Sequence, residues 1–326
     1  SIIIPVYNVA SYLEDCLFSC INQTFRDIEI IVVNDGATDE SPQIIEKYAS
    51  ADERIVVVNK KNEGLIYARK SGLDIARGEY VFHLDGDDYL ENDAMELLYK
   101  EALKRNSDCV MAGFFRIQGD KKQEYRWDRQ MESLSKQKLL AFIIDMGIWP
   151  IWGKLIRKSL FDGVVYRNIF IGEDLYFNMQ IVLQMKDFVI LDNCLYNYVW
   201  NKNSVTGKID EKTFYLRIEM QEAIWSLLDL YPYEQRIRKQ IYGLFLPDLL
   251  EAIKDNTDST EIKRVLRFYY WSNEEVRAIL WKDKKLFYFL CGGYICAPYL
   301  TSIVARFGYK IKALIRTITV SYTHLR

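Results

Sequence analysis

Residues 80–89 read Tyr-Val-Phe-His-Leu-Asp-Gly-Asp-Asp-Tyr. Tyr80–Leu84 has the composition of a short buried strand, and three carboxylates, Asp85, Asp87 and Asp88, follow it within four residues. Carboxylates this close repel one another unless a cation neutralises them. Oxygen ligands of this type suit a hard ion such as Mg²⁺ or Mn²⁺. An EF-hand counted from Asp85 would place Glu96 at its twelfth position. That reading fails, because Leu90 stands where such a loop needs Gly and Tyr89 stands at a ligand position.

Outward from this stretch the chain alternates strands and helices. Upstream, the strand-like run Ser1–Val6 ends in Tyr7-Asn8, and Ile28–Val33 is stopped by Asn34-Asp35-Gly36. A third strand is expected at Arg54–Val58. Helical spacing covers Ser11–Asn22, with Leu13, Leu17 and Ile21 on one face and Ser11 as the cap, then Asp39–Ser50 and Gly64–Ala76. Downstream come a helix at Asn92–Arg105 and a strand at Cys109–Ile117. Such alternation predicts an α/β fold, a mostly parallel sheet covered on both faces. Ligands of these sheets bind at the carboxyl ends of the strands, where Tyr7-Asn8, Asp35 and the 85–88 carboxylates gather.

After Gln118 the alternation is lost. A polar linker leads to a helix near Lys136–Met146, the segment Trp149–Phe161, a helix at Asp174–Met185 and a strand at Phe188–Val199. From about Asp210 to Leu280 the pattern is helical. Leu286–Ala305 is an uncharged run of 20 residues with Lys282, Lys284 and Lys285 before it and Arg306, Lys310, Lys312 and Arg316 after it. Its length would just cross a bilayer, but Gly292-Gly293 and Pro298 dilute it. A helix lying in the interface, held to anionic lipid by its basic flanks over residues 282–316, is the reading adopted; buried helices and a true span are the alternatives.

Composition removes several classes of function. The chain has 326 residues, half of them apolar, and a formal net charge of −2, so no global basic field points to nucleic acid. Its two histidines, His83 and His324, leave no material for Ser-His-Asp chemistry or a multi-histidine metal site. Acid–base work must fall to carboxylates. The six cysteines form no CxxC pair, and a reduced, cytoplasmic setting is expected. The chain opens at Ser1 with no initiator Met and shows no signal-peptide pattern. No GxGxxG follows the first strand and no GxxxxGK[ST] occurs anywhere, which argues against a dinucleotide dehydrogenase and a P-loop kinase.

Four stretches in order carry a resemblance: Ser1-Ile-Ile-Ile-Pro-Val-Tyr-Asn8, Glu29-Ile-Ile-Val-Val-Asn-Asp35-Gly-Ala-Thr-Asp39, Asn62-Glu-Gly-Leu-Ile-Tyr-Ala-Arg69 with Gly72, and Leu84-Asp-Gly-Asp-Asp88. Together they make the N-terminal 115 residues similar to the nucleotide-binding half of family 2 inverting glycosyltransferases of the GT-A fold, of the bacterial polysaccharide and capsule type. The resemblance implies a Rossmann-like mixed sheet flanked by helices, with residues 1–117 as the nucleotide-sugar half, 118–209 as the acceptor half and 210–326 as a helical C-terminal region. Pro5, Val6 and Tyr7 would line the base pocket, Asp35 would accept hydrogen bonds from uracil, and Arg69 would sit near the diphosphate. Asp85 would hold the ribose or an outer-shell water, Asp87 would ligate Mn²⁺ or Mg²⁺, and Asp88 would be a second ligand or a cap. Gly86 stands where the family more often has Ser or Ala.

Glu173-Asp174 resembles the family's Glu-Asp motif, which makes Asp174 the general base and Glu173 an orienting group, although an acidic pair opening a helix also has a plain capping explanation. Trp152-Gly-Lys154-Leu resembles a Trp-x-Lys-Leu segment, with Lys154 facing diphosphate or acceptor and Trp152 facing sugar; Asn203-Ser204 would close over the diphosphate. The implied partners are a UDP-sugar donor and a glycan or lipid-linked acceptor, at the inner face of the cell membrane. Two rivals remain. A nucleotide-sugar pyrophosphorylase would want a Gly-rich basic loop where Pro5-Val6-Tyr7-Asn8 stands, and a non-catalytic binding protein would lack Asp87 or Asp174, both present.

Overall fold

The computed structural model describes residues 1–146, 150–200, 211–244 and 260. Residues 1–208 with 229–232 form one compact unit, and 209–228 with 233–326 form another. Of the second unit, the helices Glu211–Leu227 and Gln235–Leu244 are described, in line with the helical expectation there. The expected loop residues Asn203-Ser204 and the apolar run 286–305 lie outside the described residues.

The first unit is built on one sheet. Its strands are β1 (Ile2–Val6), β2 (Ile30–Asp35), β3 (Ile55–Lys60), β4 (Tyr80–His83), β5 (Tyr89–Leu90), β6 (Cys109–Gln118), β7 (Lys121–Tyr125), β8 (Lys154–Arg157) and β9 (Val189–Val199). Their order is β3-β2-β1-β4-β8-β6-β9-β5, with β7 paired to β6. The first four are parallel. β8 is antiparallel to both β4 and β6, while β6 and β9 are again parallel. The sheet is therefore mixed and mostly parallel, as expected. The division expected at 117/118 falls at the last residue of β6, and strands on both sides of it share one sheet.

Six helices belong to this unit: α1 (Ala10–Ile21), α2 (Ser41–Ala51), α3 (Leu65–Ile75), α4 (Ala94–Arg105), α5 (Lys136–Met146) and α6 (Glu173–Gln184). Their register follows the apolar spacing. Leu13, Cys16, Leu17 and Cys20 are the buried face of α1, which packs on a core with Ile2, Ile4, Val32, Phe82 and Leu98. The cap of α1 differs from expectation. Ser11 lies inside the helix, and the free Ala10 N–H donates to Asp39 Oδ2 at 2.9 Å. Asp39 also accepts from Ser41 N at 3.0 Å, so one carboxylate ties the starts of α1 and α2 together. Gly72 lets α3 lie against β1, since a Cβ there would come within 2.5 Å of Ile3 Cγ2.

Candidate active site

The expected carboxylates converge through one cation. Arg69, on the buried face of α3 and only 2% exposed, donates from Nη2 to Asp85 Oδ1 at 2.9 Å and from Nη1 to Asp174 Oδ1 at 2.7 Å. Glu173 Oε1 lies 3.9 Å from the same Nη1. Residues 105 apart in sequence are thus joined by a planar fork whose geometry suits two carboxylates at once. Burial works against the charge of Arg69, yet Asp174, Asp85 and Glu173 together raise its pKa.

Three elements put these groups in place. Asp35, at the end of β2, is 2% exposed. Its Oδ1 accepts from Lys60 Nζ at 3.2 Å and Glu63 N at 3.1 Å, and its Oδ2 accepts from Gly64 N at 2.9 Å. Gly64 caps α3 with φ of 92°, a left-handed-side geometry that favours glycine. Asp35 therefore anchors the entry to the helix that carries Arg69, and only Oδ2 retains a free acceptor position for a base edge. Asp174 and Glu173 sit in the first turn of α6, after Gly172.

The acidic loop is split by burial. Asp85 and Asp87 are half-buried, whereas Asp88 is 2% exposed. Burial and then the charge of Asp85 push the Asp87 carboxyl up to about 6. Asp88, expected as a second metal ligand or a cap, faces the other way: its Oδ2 accepts from Tyr196 Oη at 2.6 Å and its Oδ1 from Val199 N at 2.7 Å. Each oxygen accepts one bond from β9, so Asp88 fastens the loop to that strand. Gly86 packs under the end of β1, where a Cβ would meet Pro5 O and Val9 Cγ2 at 3.1 Å, tight enough to require a small shift.

Of the residues expected to line the base pocket, Pro5 and Val6 are buried inside β1, while Tyr7 is 49% exposed. Lys154, expected to meet diphosphate or acceptor, is turned inward. Its Nζ donates to Pro150 O at 2.6 Å and Asn178 Oδ1 at 3.1 Å, and burial lowers its pKa. It braces the segment beside Asp174 against α6. Trp152 lies against Tyr196, with ring centres 4.4 Å apart, and against Tyr198 at 5.6 Å, all three rings near parallel.

Electrostatics favour Asp174 and Glu173 as proton-handling groups. Burial raises the Asp174 pKa against the pull of Arg69. Burial and then Asp174 push Glu173 up to about 7. A raised carboxylate is a better proton acceptor near neutral pH than an ordinary one.

Among the described residues no group of three or more His, Cys, Asp or Glu side chains is arranged to hold a metal ion by itself. The donor set nevertheless fits a hard divalent cation delivered with a diphosphate, which needs one or two carboxylates and takes its remaining ligands from phosphate oxygens and water. Asp87, pushed up first by burial and then by the charge of Asp85, is the group such an ion would relieve.

Sequence reasoning missed three features of the site. The Arg69 bridge to Asp174 is invisible at a separation of 105 residues. The Tyr196–Asp88 bond is equally distant. His83, 2% exposed within β4, was visible only as an ionisable residue in an otherwise apolar strand.

Residues 1–164 match the family model described as glycosyl transferase family 2. Among its relatives, the chain is 34% identical over 253 residues to the glycosyltransferase GlyA of Streptococcus pneumoniae serotype 4, covering 73% of this chain and 36% of that one. It is 36% identical over 214 residues to EpsJ of Bacillus subtilis, an uncharacterised glycosyltransferase, covering 63% and 62%. The match therefore spans about a third of GlyA and under two thirds of EpsJ. Residues 1–349 of S. aureus TarS, solved with UDP-GlcNAc, superpose with a TM-score of 0.71 at 18% identity, over 95% of this chain and 91% of that one. The shared architecture is the GT-A fold.

Proposed function

The chain belongs to glycosyl transferase family 2, and from that premise we propose that it moves a sugar from a UDP-sugar to a hydroxyl of a glycan or lipid-linked acceptor, in the synthesis of a cell-surface polysaccharide. The observation that carries this reading is the single guanidinium of Arg69 joining Asp85 of the strand-end loop to Asp174 of α6. It ties the donor-side carboxylate and the candidate base to one guanidinium, which supports a reaction centre shared by the two.

In this reading Asp174 takes the proton from the acceptor hydroxyl as that oxygen attacks the anomeric carbon, and the product is inverted. Glu173 orients the acceptor beside it. Asp87 and Asp85 would hold a divalent cation, which would supply stabilisation of the negative charge on the departing diphosphate. Tyr7 lies open at the end of β1 to cover the base, and the remaining acceptor position on Asp35 Oδ2 serves the uracil edge. TarS was solved with UDP-GlcNAc, which favours uridine as the nucleotide here.

The test is UDP release from a panel of UDP-sugars, with Mn²⁺, with Mg²⁺ and with EDTA, for wild type and Asp174→Asn. Release that needs the cation and falls by at least about a hundredfold in the variant supports the reading. Unchanged release in Asp174→Asn removes Asp174 as the base, and undiminished release in EDTA removes the metal.

The basic flanks around 286–305 support peripheral contact of residues 282–316 with anionic lipid. Among the described residues no helix is long and apolar enough to cross a membrane. Flotation with phosphatidylglycerol vesicles at low salt, lost at high salt, is the expected result. A chain that stays at the bottom of the gradient at low salt would refute this contact.

A further inference from the structure

Beside Arg69 the fold leaves a small cavity of about 10 Å³. Its wall includes Leu73, Ile151 and Phe177, and its polar members are Arg69, His83 and Tyr166. Two buried polar atoms of these residues have no protein partner, Arg69 Nε and His83 Nδ1. Each belongs to a side chain of a residue only 2% exposed.

The two atoms are complementary. Arginine Nε carries a hydrogen and can only donate. Neutral imidazole in its Nε2–H form can only accept at Nδ1. Burial, and then the charge of Arg69, hold His83 far below its ordinary pKa, in agreement with a neutral ring. An unmet donor and an unmet acceptor buried together are costly, and native interiors rarely leave both. One water is the smallest group that accepts from the first and donates to the second, and a cavity of this size holds one.

We propose that a single ordered water bridges Arg69 Nε to His83 Nδ1, and that His83 is thereby a positioning residue for the Arg69 fork. Both Nη atoms of Arg69 are committed to Asp85 and Asp174, so Nε is the remaining point at which the guanidinium plane can be fixed. A water anchored on β4 supplies that third point. The fork is then held in the plane that serves donor loop and base together, before any substrate arrives. The consequence for turnover rests on the glycosyl-transfer reading, whereas the water site does not.

The competing explanation is that His83 only fills space, since its ring meets Phe161 edge-on at 5.7 Å. Two substitutions separate the alternatives because they reverse which property is kept. His83→Phe retains a ring against Phe161 and removes the acceptor. His83→Asn loses the ring and keeps an acceptor oxygen close to the Nδ1 position. The expected result is a crossed pattern. His83→Phe melts near wild type but loses kcat for UDP release from the best donor of the panel on the order of tenfold, with KM for that donor within threefold. His83→Asn melts lower but keeps kcat within threefold.

Wild-type kcat in His83→Phe would overturn the positioning role. A high-resolution crystal structure of the whole chain reads the water directly: density within hydrogen-bond reach of both atoms is expected, and a dry cavity overturns the site. If no UDP-sugar is turned over, the functional reading falls and the crystallographic arm decides the water site alone.

Discussion

Arg69 meets three carboxylates with one charge, and that imbalance sets the behaviour of the site. Taking the cation away leaves Asp85 and Asp174, with side chains 24% and 20% exposed, facing each other without compensation. Removing one partner of a buried ionic group costs more than the group contributes when intact. Arg69→Met is expected to lose about 2–4 kcal/mol of stability, read by urea denaturation, together with nearly all UDP release. Arg69→Lys keeps the charge but cannot bridge two carboxylates in a plane, so it should fold better than Arg69→Met while still losing most turnover.

The remaining negative charge shows in pH. Glu173 titrates at about 7 in the fold against 4.5 as an ordinary glutamate, so folding takes up a proton between those values. The associated stability is fully present below pH 4.5 and is lost as pH rises through about 7. Glu173→Gln mimics the protonated form, so its melting temperature should exceed that of wild type at pH 8, and the gap should close by about pH 4.5. Asp174, raised chiefly by burial, must be ionised to accept a proton. The turnover of wild type is thus expected to fall as pH drops through the raised carboxylate range, in a kcat/KM profile with one acid limb.

Elements fix which carboxylate does what. A run of three acids looks interchangeable in sequence, but β9 selects among them by claiming Asp88 through Tyr196 Oη and Val199 N. Asp88→Asn and Tyr196→Phe should therefore cost about 1–2 kcal/mol of stability while leaving the Mn²⁺ concentration for half-maximal UDP release within about threefold of wild type. Asp87→Asn should do the reverse, raising that concentration at least about tenfold with little loss of stability. Equal metal effects at 87 and 88 would put Asp88 back among the ligands.

What was legible at this scale follows from how each strand earns its place. β1, β2 and β4 are continuous apolar runs buried on both faces, and their helices carry clear stripes, so the parallel half could be read in order. The acidic strand end marked the candidate site because the packing of β4 does not itself call for three carboxylates directly after it. Beyond β6 and β9, the strands with antiparallel partners, β5, β7 and β8, were hidden. β5 is two residues long and β8 four, too short for any period to show. β7 is Lys-Lys-Gln-Glu-Tyr, mostly exposed and paired only to β6, so its polarity read as a linker. Lys154 was misread for a related reason: nothing in a surface-like Trp-Gly-Lys sequence reveals that Pro150 O and Asn178 wait inside for the ammonium.

At the scale of the whole molecule, the nucleotide site and the candidate base belong to one self-contained core. The buried cluster that supports the sheet draws its members from Ile2 to Tyr196, and every residue proposed to touch donor, metal or acceptor proton falls inside residues 1–208. The first unit also includes 229–232, where Pro232 O accepts from Gln137 Nε2 at 2.9 Å and Tyr231 Oη donates to Gln180 Oε1 at 3.2 Å, and a piece of about 230 residues is large enough to bury a stable core alone. Residues 1–232 expressed without the rest should unfold in a single transition and bind UDP in the presence of Mn²⁺ within about threefold of the full chain, measured by calorimetry. The same fragment lacks 282–316 and should no longer float with anionic vesicles. Donor chemistry and membrane contact would then separate along the chain, the first fixed by the Arg69 fork and the second by the basic flanks. A fragment that folds yet binds no UDP would mean that the second unit completes the nucleotide site, and a fragment that still floats would move the lipid contact into the sheet-bearing unit.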